Sequence, residues 1–237
     1  MGSQSSRIEK EPRVVVLVAL YKSGKFIKSK IESLKLQTII DDSLVVFLNC
    51  QNHENESALC DAFAAERSNV INIVFDEPIL LYPSWNVGIK RTKSRYITNY
   101  NADDQWHPTY LERCCDYLDQ HPDVGIVSTG ILMTHTPNQL WPDWTPHDKI
   151  PAHPYPLSTA GPCPIWRREL HKKYGYFGNY RVIGDARLWE KFHAGGEQFG
   201  LISDDLALYY LSAESLERRH DPSTGQLLRD IDLATPD

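Results

Sequence analysis

Apolar residues in this chain come in short unbroken runs, and between the runs apolar positions recur every three or four residues. Val14–Leu20 is one such run, as a parallel strand covered on both faces requires. It stops at Tyr21-Lys22-Ser23-Gly24, after which Ile27, Ile31 and Leu34 line one face of a helix predicted over 25–37. Residues 44–48 read as a second strand that runs into the polar cluster Asn49-Cys50-Gln51-Asn52-His53. A helix over 56–66 turns Leu59 and Phe63 inward, and 70–75 is a third strand. Pro83-Ser84 opens a short helix carrying Trp85, Asn86, Val87 and Ile89. Strand and helix alternating in this way predict an α/β fold of the nucleotide-binding type, with a mostly parallel central sheet flanked by helices.

The fourth strand ends differently. In Arg95-Tyr96-Ile97-Thr98-Asn99-Tyr100-Asn101-Ala102-Asp103-Asp104 the first half suits a pleated surface, whereas Asn101, Asp103 and Asp104 break it and start a turn. A carboxylate at the carboxyl end of a strand in an open α/β sheet stands where such folds bind ligands. Mg²⁺ and Mn²⁺ take one or two protein carboxylates there, with diphosphate oxygens completing the shell. Strand periodicity places Asn101 and Asp103 on one face and Asp104 on the other. The same residues read equally well as turn and capping groups ahead of a helix over 108–120 that His107-Pro108 opens. Spacing alone leaves both readings open.

Beyond a strand over 124–129 the pattern changes. Eight of the fifteen prolines lie in 137–164, together with Trp141, Trp144, His147 and His153, and that density predicts a long loop without regular elements. Such a loop is a binding lid or an interdomain linker, and two tryptophans favour the lid. His135, His147 and His153 match no single helix or strand face, which makes a poor zinc pattern. A helix over 167–174 ends at Gly175. Another begins at Asp185, with Leu188, Trp189 and Phe192 apolar, and stops at Gly195-Gly196; as an N-cap, Asp185 needs no further role. Strands over 199–202 and 206–211 follow, and the charged residues 216–237 read as a peripheral tail.

Composition narrows the partners. A chain of 237 residues holds one large α/β domain or two small ones, and a formal net charge of −6 argues against nucleic acid as the main partner. No stretch approaches the roughly 20 apolar residues of a membrane span, and residues 1–11 read as a flexible leader. The cysteines, Cys50, Cys60, Cys114, Cys115 and Cys163, are odd in number and lack metal-ligand spacing, which favours a reducing, cytoplasmic setting.

Several separated motifs share one order with a known family. Val18-Ala19-Leu20-Tyr21 sits where that family has a strand ending in Pro-Thr-Tyr-Asn, and Ile31-Glu32-Ser33-Leu34-Lys35-Leu36-Gln37-Thr38 looks like its ESLLNQT helix end. Trp85-Asn86-Val87-Gly88-Ile89 looks like its RN-x-GI element and Arg95-Tyr96-Ile97 like GEYI. Asn101-Ala102-Asp103-Asp104 falls on its Asp-x-Asp motif, and Gly184-Asp185-Ala186-Arg187-Leu188-Trp189 on its ED-x-D-L-W motif. On these grounds the chain resembles the inverting family 2 glycosyltransferases of the GT-A fold, with residues 12–215 as a single domain.

The resemblance implies transfer of a sugar from a nucleoside-diphosphate donor, a UDP-sugar by default, to a hydroxyl of a saccharide or lipid-linked saccharide. It implies a role in surface polysaccharide synthesis, in the cytoplasm or peripherally at the inner face of the membrane beside membrane enzymes. Tyr21 would stack on the nucleobase, and Asn49, Asn86, Asn101 and Asp103 would complete the donor site. Asp103, with Asp104, would hold Mn²⁺ or Mg²⁺, Asp185 would take the acceptor proton, and Trp141 and Trp144 would face the acceptor. The chain departs from the family at several of these places. Asn49-Cys50-Gln51-Asn52 replaces an acidic base-binding motif, Asn101 replaces the first Asp, Trp85 replaces a basic residue, and Ser212 stands where the family has a histidine. A non-catalytic sugar-nucleotide binding domain is the alternative, and retention of both Asp103 and Asp185 favours the enzyme. A nucleotidyltransferase would need a Gly-rich basic loop after the first strand, for which Lys22-Ser23-Gly24-Lys25 is too meagre.

Overall fold

The computed structural model describes residues 11–50, 55–150, 163–212 and 219–234. The leader 1–10, the polar residues Gln51, Asn52 and His53, the part of the proline-rich loop from Pro151 to Pro162 with His153, and 213–218 lie outside the described residues.

Strands β1 (Val14–Leu20), β2 (Ser43–Cys50), β3 (Val70–Phe75) and β4 (Tyr96–Asn99) pair in parallel in the order β3-β2-β1-β4. Helices α1 (Ile27–Lys35), α2 (Glu56–Glu66) and α3 (Leu81–Arg91) return the chain between them. Because β1 is apolar at every position, its alternating side chains supply two separate cores. Val14, Val16 and Val18 pack with Ile27, Leu34, Phe63 and Leu111, whereas Val15 and Leu17 pack with Trp85, Trp166, Trp189 and Phe192. One face of the sheet is therefore largely aliphatic and the other aromatic.

The second half changes direction. β8 (Ile165–Arg167) runs antiparallel between β4 and β6 (Val124–Thr134); β6 pairs in parallel with β9 (Gln198–Tyr210), and β9 pairs antiparallel with β5 (Gln105–Trp106). The two strands expected over 199–202 and 206–211 are one strand, β9, whose register on β6 shifts on both sides of Gly130. A Cβ at Gly130 would come within 2.2 Å of the Asp205 carboxylate, so a glycine is required where the two strands kink together. The proline-rich stretch does contain a regular element, β7 (Asp148–Ile150), antiparallel to the end of β6. Proline density misled there because Asp148-Lys149-Ile150 has no proline of its own. The remaining helices are α4 (Tyr110–Gln120), α5 (Leu170–Tyr174), α6 (Gly184–Ala194) and α7 (Leu228–Ala234). No helix among the described residues is long and apolar enough to cross a membrane.

Candidate active site

β1, β2 and β4 are parallel, so Tyr21, Asn49 and the 101–104 turn all arrive at one edge of the sheet. Behind the turn, Tyr100 and Trp106 stack face to face with ring centroids 3.5 Å apart, and Trp106 stacks in turn on Tyr110 at 4.3 Å. The stacked rings close the loop like a clasp, and the Asp104 amide donates to the Asn101 carbonyl at 3.3 Å across it. Strand periodicity therefore fails one residue beyond β4: the chain has already turned. Asn101 Nδ2 donates to Asp104 Oδ2 at 3.0 Å, which puts Asn101 with Asp104 and leaves Asp103 as the partly exposed carboxylate.

Asp104 is fully buried, and its other oxygen accepts from the Tyr210 amide at the end of β9 at 3.1 Å. Its backbone carbonyl accepts from Lys30 Nζ at 2.5 Å. Lys30 is itself fully buried, with Nζ 2.9 Å from the centroid of the Tyr100 ring. Burial pushes the Lys30 ammonium down to about 7, with the Asp104 charge opposing, and pushes both Asp103 and Asp104 above the usual carboxylate range. The lysine stands beneath the turn and ties the Asp104 carbonyl to α1. Its signal in the sequence was a lysine three residues after Ile27, inside the apolar stripe of α1.

Asp185 reaches the same edge from elsewhere. α3 begins where β3 ends, and in its first turn Tyr82 donates to Asp185 Oδ1 at 3.0 Å and to the Val182 carbonyl. Tyr82 is 2% exposed, and burial together with the Asp185 charge holds its phenol well above the ordinary tyrosine value. Asp185 is not the N-cap of α6. That position is Ile183, which offers no side-chain cap, and besides the Tyr82 hydroxyl Asp185 Oδ1 accepts from the neighbouring Ala186 amide at 2.8 Å. Leu188, Trp189 and Phe192 anchor the helix among Trp166, His171 and Phe177.

Of the expected donor residues, Tyr21 is 54% exposed at the end of β1, open for stacking. Asn49 is 2% exposed on β2, and its Nδ2 has no hydrogen-bond partner among the described residues. Asn86 spends both ends of its amide on Phe177, donating to the carbonyl at 2.8 Å and accepting from the amide at 3.1 Å. It ties 176–180 to α3. Trp141 and Trp144 meet edge to face at 5.2 Å, and Trp141 also meets His107, which directly follows β5. Asn138, in the same excursion between β6 and β7, bonds to Ser29 and to the Lys25 carbonyl at the start of α1, folding this loop back toward the turn. Two other carboxylates, Asp204 and Asp205 on β9, are held in ion pairs with Arg113 and Lys149.

A hard divalent cation fits this edge through one carboxylate. Among the described residues no three His, Cys, Asp or Glu side chains gather into a metal cluster, while Asp103 is the partly exposed carboxylate of the turn beside the fully buried Asp104 and Lys30. Such a site is completed by ligand oxygens.

The family model described as glycosyl transferase family 2 matches residues 15–180. An uncharacterized glycosyltransferase of Methanocaldococcus jannaschii is 21% identical over 205 residues, which cover 84% of this chain and 71% of the relative. The amylovoran biosynthesis glycosyltransferase AmsE of Erwinia amylovora is 20% identical over 219 residues, 86% of this chain and 78% of the relative. Among solved structures, S. aureus TarS 1-349 in complex with UDP-GlcNAc superposes with a TM-score of 0.69 at 15% identity over 86% of this chain. The mannosyltransferase PcManGT of Pyrobaculum calidifontis, in complex with GDP-Man and Mn²⁺, superposes with a TM-score of 0.65 at 16% identity over 87% of this chain. The chain spans 60% and 59% of those two structures. Their fold is the GT-A arrangement seen here, and with the family model covering well over half its length the chain belongs to glycosyl transferase family 2.

Proposed function

We propose that this enzyme is an inverting, metal-dependent glycosyltransferase that moves a sugar from a nucleoside-diphosphate sugar to a hydroxyl of a saccharide or lipid-linked saccharide. The observation that carries the reading is the convergence of Asp103 and Asp185, from unrelated elements, on one sheet edge that also presents Tyr21 and Asn49. Polysaccharide synthesis is the process, a reading supported by the name of AmsE, and the setting is cytoplasmic or peripheral at the inner membrane face, beside membrane enzymes.

Tyr21 stacks on the base. The unpartnered amide of Asn49 donates to a base carbonyl oxygen, that of uracil in the first instance, where a carboxylate would instead accept from a ring N–H. Asp103 would hold Mn²⁺ or Mg²⁺ at the diphosphate end, and the ion would offset the charge on the departing group. Asn101, Asp104 and Asn86 act from behind, fixing the turn and the 176–180 segment. Asp185 accepts the proton of the acceptor hydroxyl as that oxygen attacks the anomeric carbon from the face opposite the diphosphate, and the configuration inverts. Trp141 and Trp144 present apolar ring faces on the acceptor side.

Titration calorimetry of UDP-GlcNAc and GDP-mannose with Mn²⁺ tests the donor site. Asp103→Ala removes a partly exposed side chain at a turn, so the fold should persist while Mn²⁺-dependent donor binding is lost. Affinity equal to the parent's, with and without chelator, overturns the assignment. Release of nucleoside diphosphate from the same donors separates the enzyme from a non-catalytic binder, which would bind a donor and leave it intact.

A further inference from the structure

The segment 181–183 that leads into Asp185 is held by a residue far along the chain. Asp232, on α7, is 3% exposed, and its carboxylate accepts three consecutive backbone amides. Oδ2 takes Val182 at 2.6 Å, Arg181 at 2.9 Å and Ile183 at 3.2 Å, and Oδ1 takes Arg181 again at 3.1 Å. The first amides of a helix and those just before it need acceptors, and Ile183 as N-cap supplies no side-chain oxygen. Asp232 does that work from 49 positions away, and its negative charge suits the positive end of the α6 dipole.

Two further contacts show that the arrangement is directed at this loop. The Arg181 guanidinium pairs with Asp221 Oδ2 at 2.5 Å, while Asp221 Oδ1 caps its own turn through the amides of Ser223 at 2.9 Å and Thr224 at 3.2 Å. From the opposite side Tyr82 donates to the Val182 carbonyl. The peptide at Val182 is thus fixed through its N–H by the C-terminal segment and through its C=O by α3. Both Asp221 and Asp232 lie beyond the residues matched by the family model, which end at 180.

We propose that Asp232 is a positioning residue for Asp185, and that the C-terminal segment Arg219–Ala234 is thereby a part of the catalytic architecture. The proposal rests on the reading of Asp185 as the proton acceptor. Replacing the carboxylate frees three amides at the entrance to α6 and lets the carboxylate of Asp185 wander, which acts on the attack step and leaves the donor site, built on β1, β2 and the 101–104 turn, as it was.

The test uses the full chain, with Mn²⁺ and whichever of UDP-GlcNAc and GDP-mannose it consumes, following nucleoside diphosphate release. Asp232→Ala should lower kcat by about tenfold to a hundredfold, the scale of a displaced catalytic group, with donor KM within about twofold of the parent. Asp232→Asn keeps one acceptor oxygen and should fall between the two. It serves as the working variant where the alanine form does not fold. Amide hydrogen exchange should quicken over 181–186 in both variants and stay unchanged over 96–106. A kcat equal to the parent's in both variants, or a fall accompanied by faster exchange across the whole sheet, overturns the proposal. Asp185→Asn run alongside separates the two failures: if it turns over as fast as the parent, the base assignment is what has failed, whereas a dead Asp185→Asn beside fully active Asp232 variants condemns the positioning role alone.

Discussion

Asp103 and Asp185 are carried to the same edge of the sheet by opposite means. The turn that presents Asp103 is built largely of its own neighbours: Tyr100 and Trp106 clasp it, Asn101 and Asp104 bond across it, and Lys30, Tyr210 and the Cys163 thiol reach in to Asp104 from outside. Asp185 has no such local frame. Its helix lacks an N-cap side chain, and its placement comes from Tyr82, Asp232 and an aromatic layer of Trp166, Phe177 and Trp189. A locally built site tolerates change elsewhere in the chain. A site assembled from distant elements is exposed to it.

The sharpest break between the two is Asp185→Asn. The amide preserves the shape of the side chain and an oxygen for the Tyr82 hydroxyl and the Ala186 amide, so stability should be close to the parent's. Positioned proton removal is typically worth about 10²–10⁴-fold, and turnover should fall by that much while donor affinity, set at the Asp103 turn, holds. Turnover near the parent rate would reduce Asp185 to a structural residue.

Gly184→Ala probes the assembled site with a single methyl. A Cβ there would lie 2.6 Å from the Tyr82 ring, which is buried and unable to move aside. Overpacking of this kind costs about 1–3 kcal/mol, and because the clash pushes apart the two residues that hold Asp185, kcat should fall more than the loss of stability explains. A variant with unchanged kcat and a lowered melting temperature would show that Tyr82 and Gly184 serve packing only.

The same contrast decides what could be read from the sequence. β1, α2 and β3 fall where alternation and spacing put them, because short apolar runs and helices with an apolar stripe state themselves locally. The 101–104 turn was legible as a break in the strand, although periodicity assigned Asn101 the wrong neighbour, since a period of two lapses once the chain turns. β8 and β5 were missed: three and two residues long, they are strands only because β4, β6 and β9 flank them. Lys30 and Asp232 were missed for a different reason. A lysine on a short helix and an aspartate in a charged tail read as solvated groups until the fold buries them, and the tail expected to be peripheral is docked by Asp232 together with Asp221.

The effect smallest on turnover separates the two core layers by pH. Behind α6 the buried titratable group is His171, whose Nδ1 donates to the Gly175 carbonyl at 2.8 Å and whose Nε2 accepts from Trp166 Nε1 at 3.0 Å. The bond from Trp166 requires the neutral imidazole, since a protonated Nε2 cannot accept, and burial lowers its value to about 4 from an ordinary 6.5. In the unfolded chain the ring binds a proton below pH 6.5, while the folded chain refuses it until about pH 4, so the unfolded state holds more protons across that window and stability rises with pH through it. Acidification from 6.5 to 4 should therefore remove about 3 kcal/mol on this account, seen as a falling urea midpoint, with turnover at pH 7 untouched. His171→Gln should lower stability at pH 7 by its lost packing yet flatten the slope between pH 6.5 and 4. A slope equally steep in the variant would place the acid sensitivity elsewhere, at carboxylates that their partners hold below the ordinary range, such as Asp119, Glu197 and Asp221.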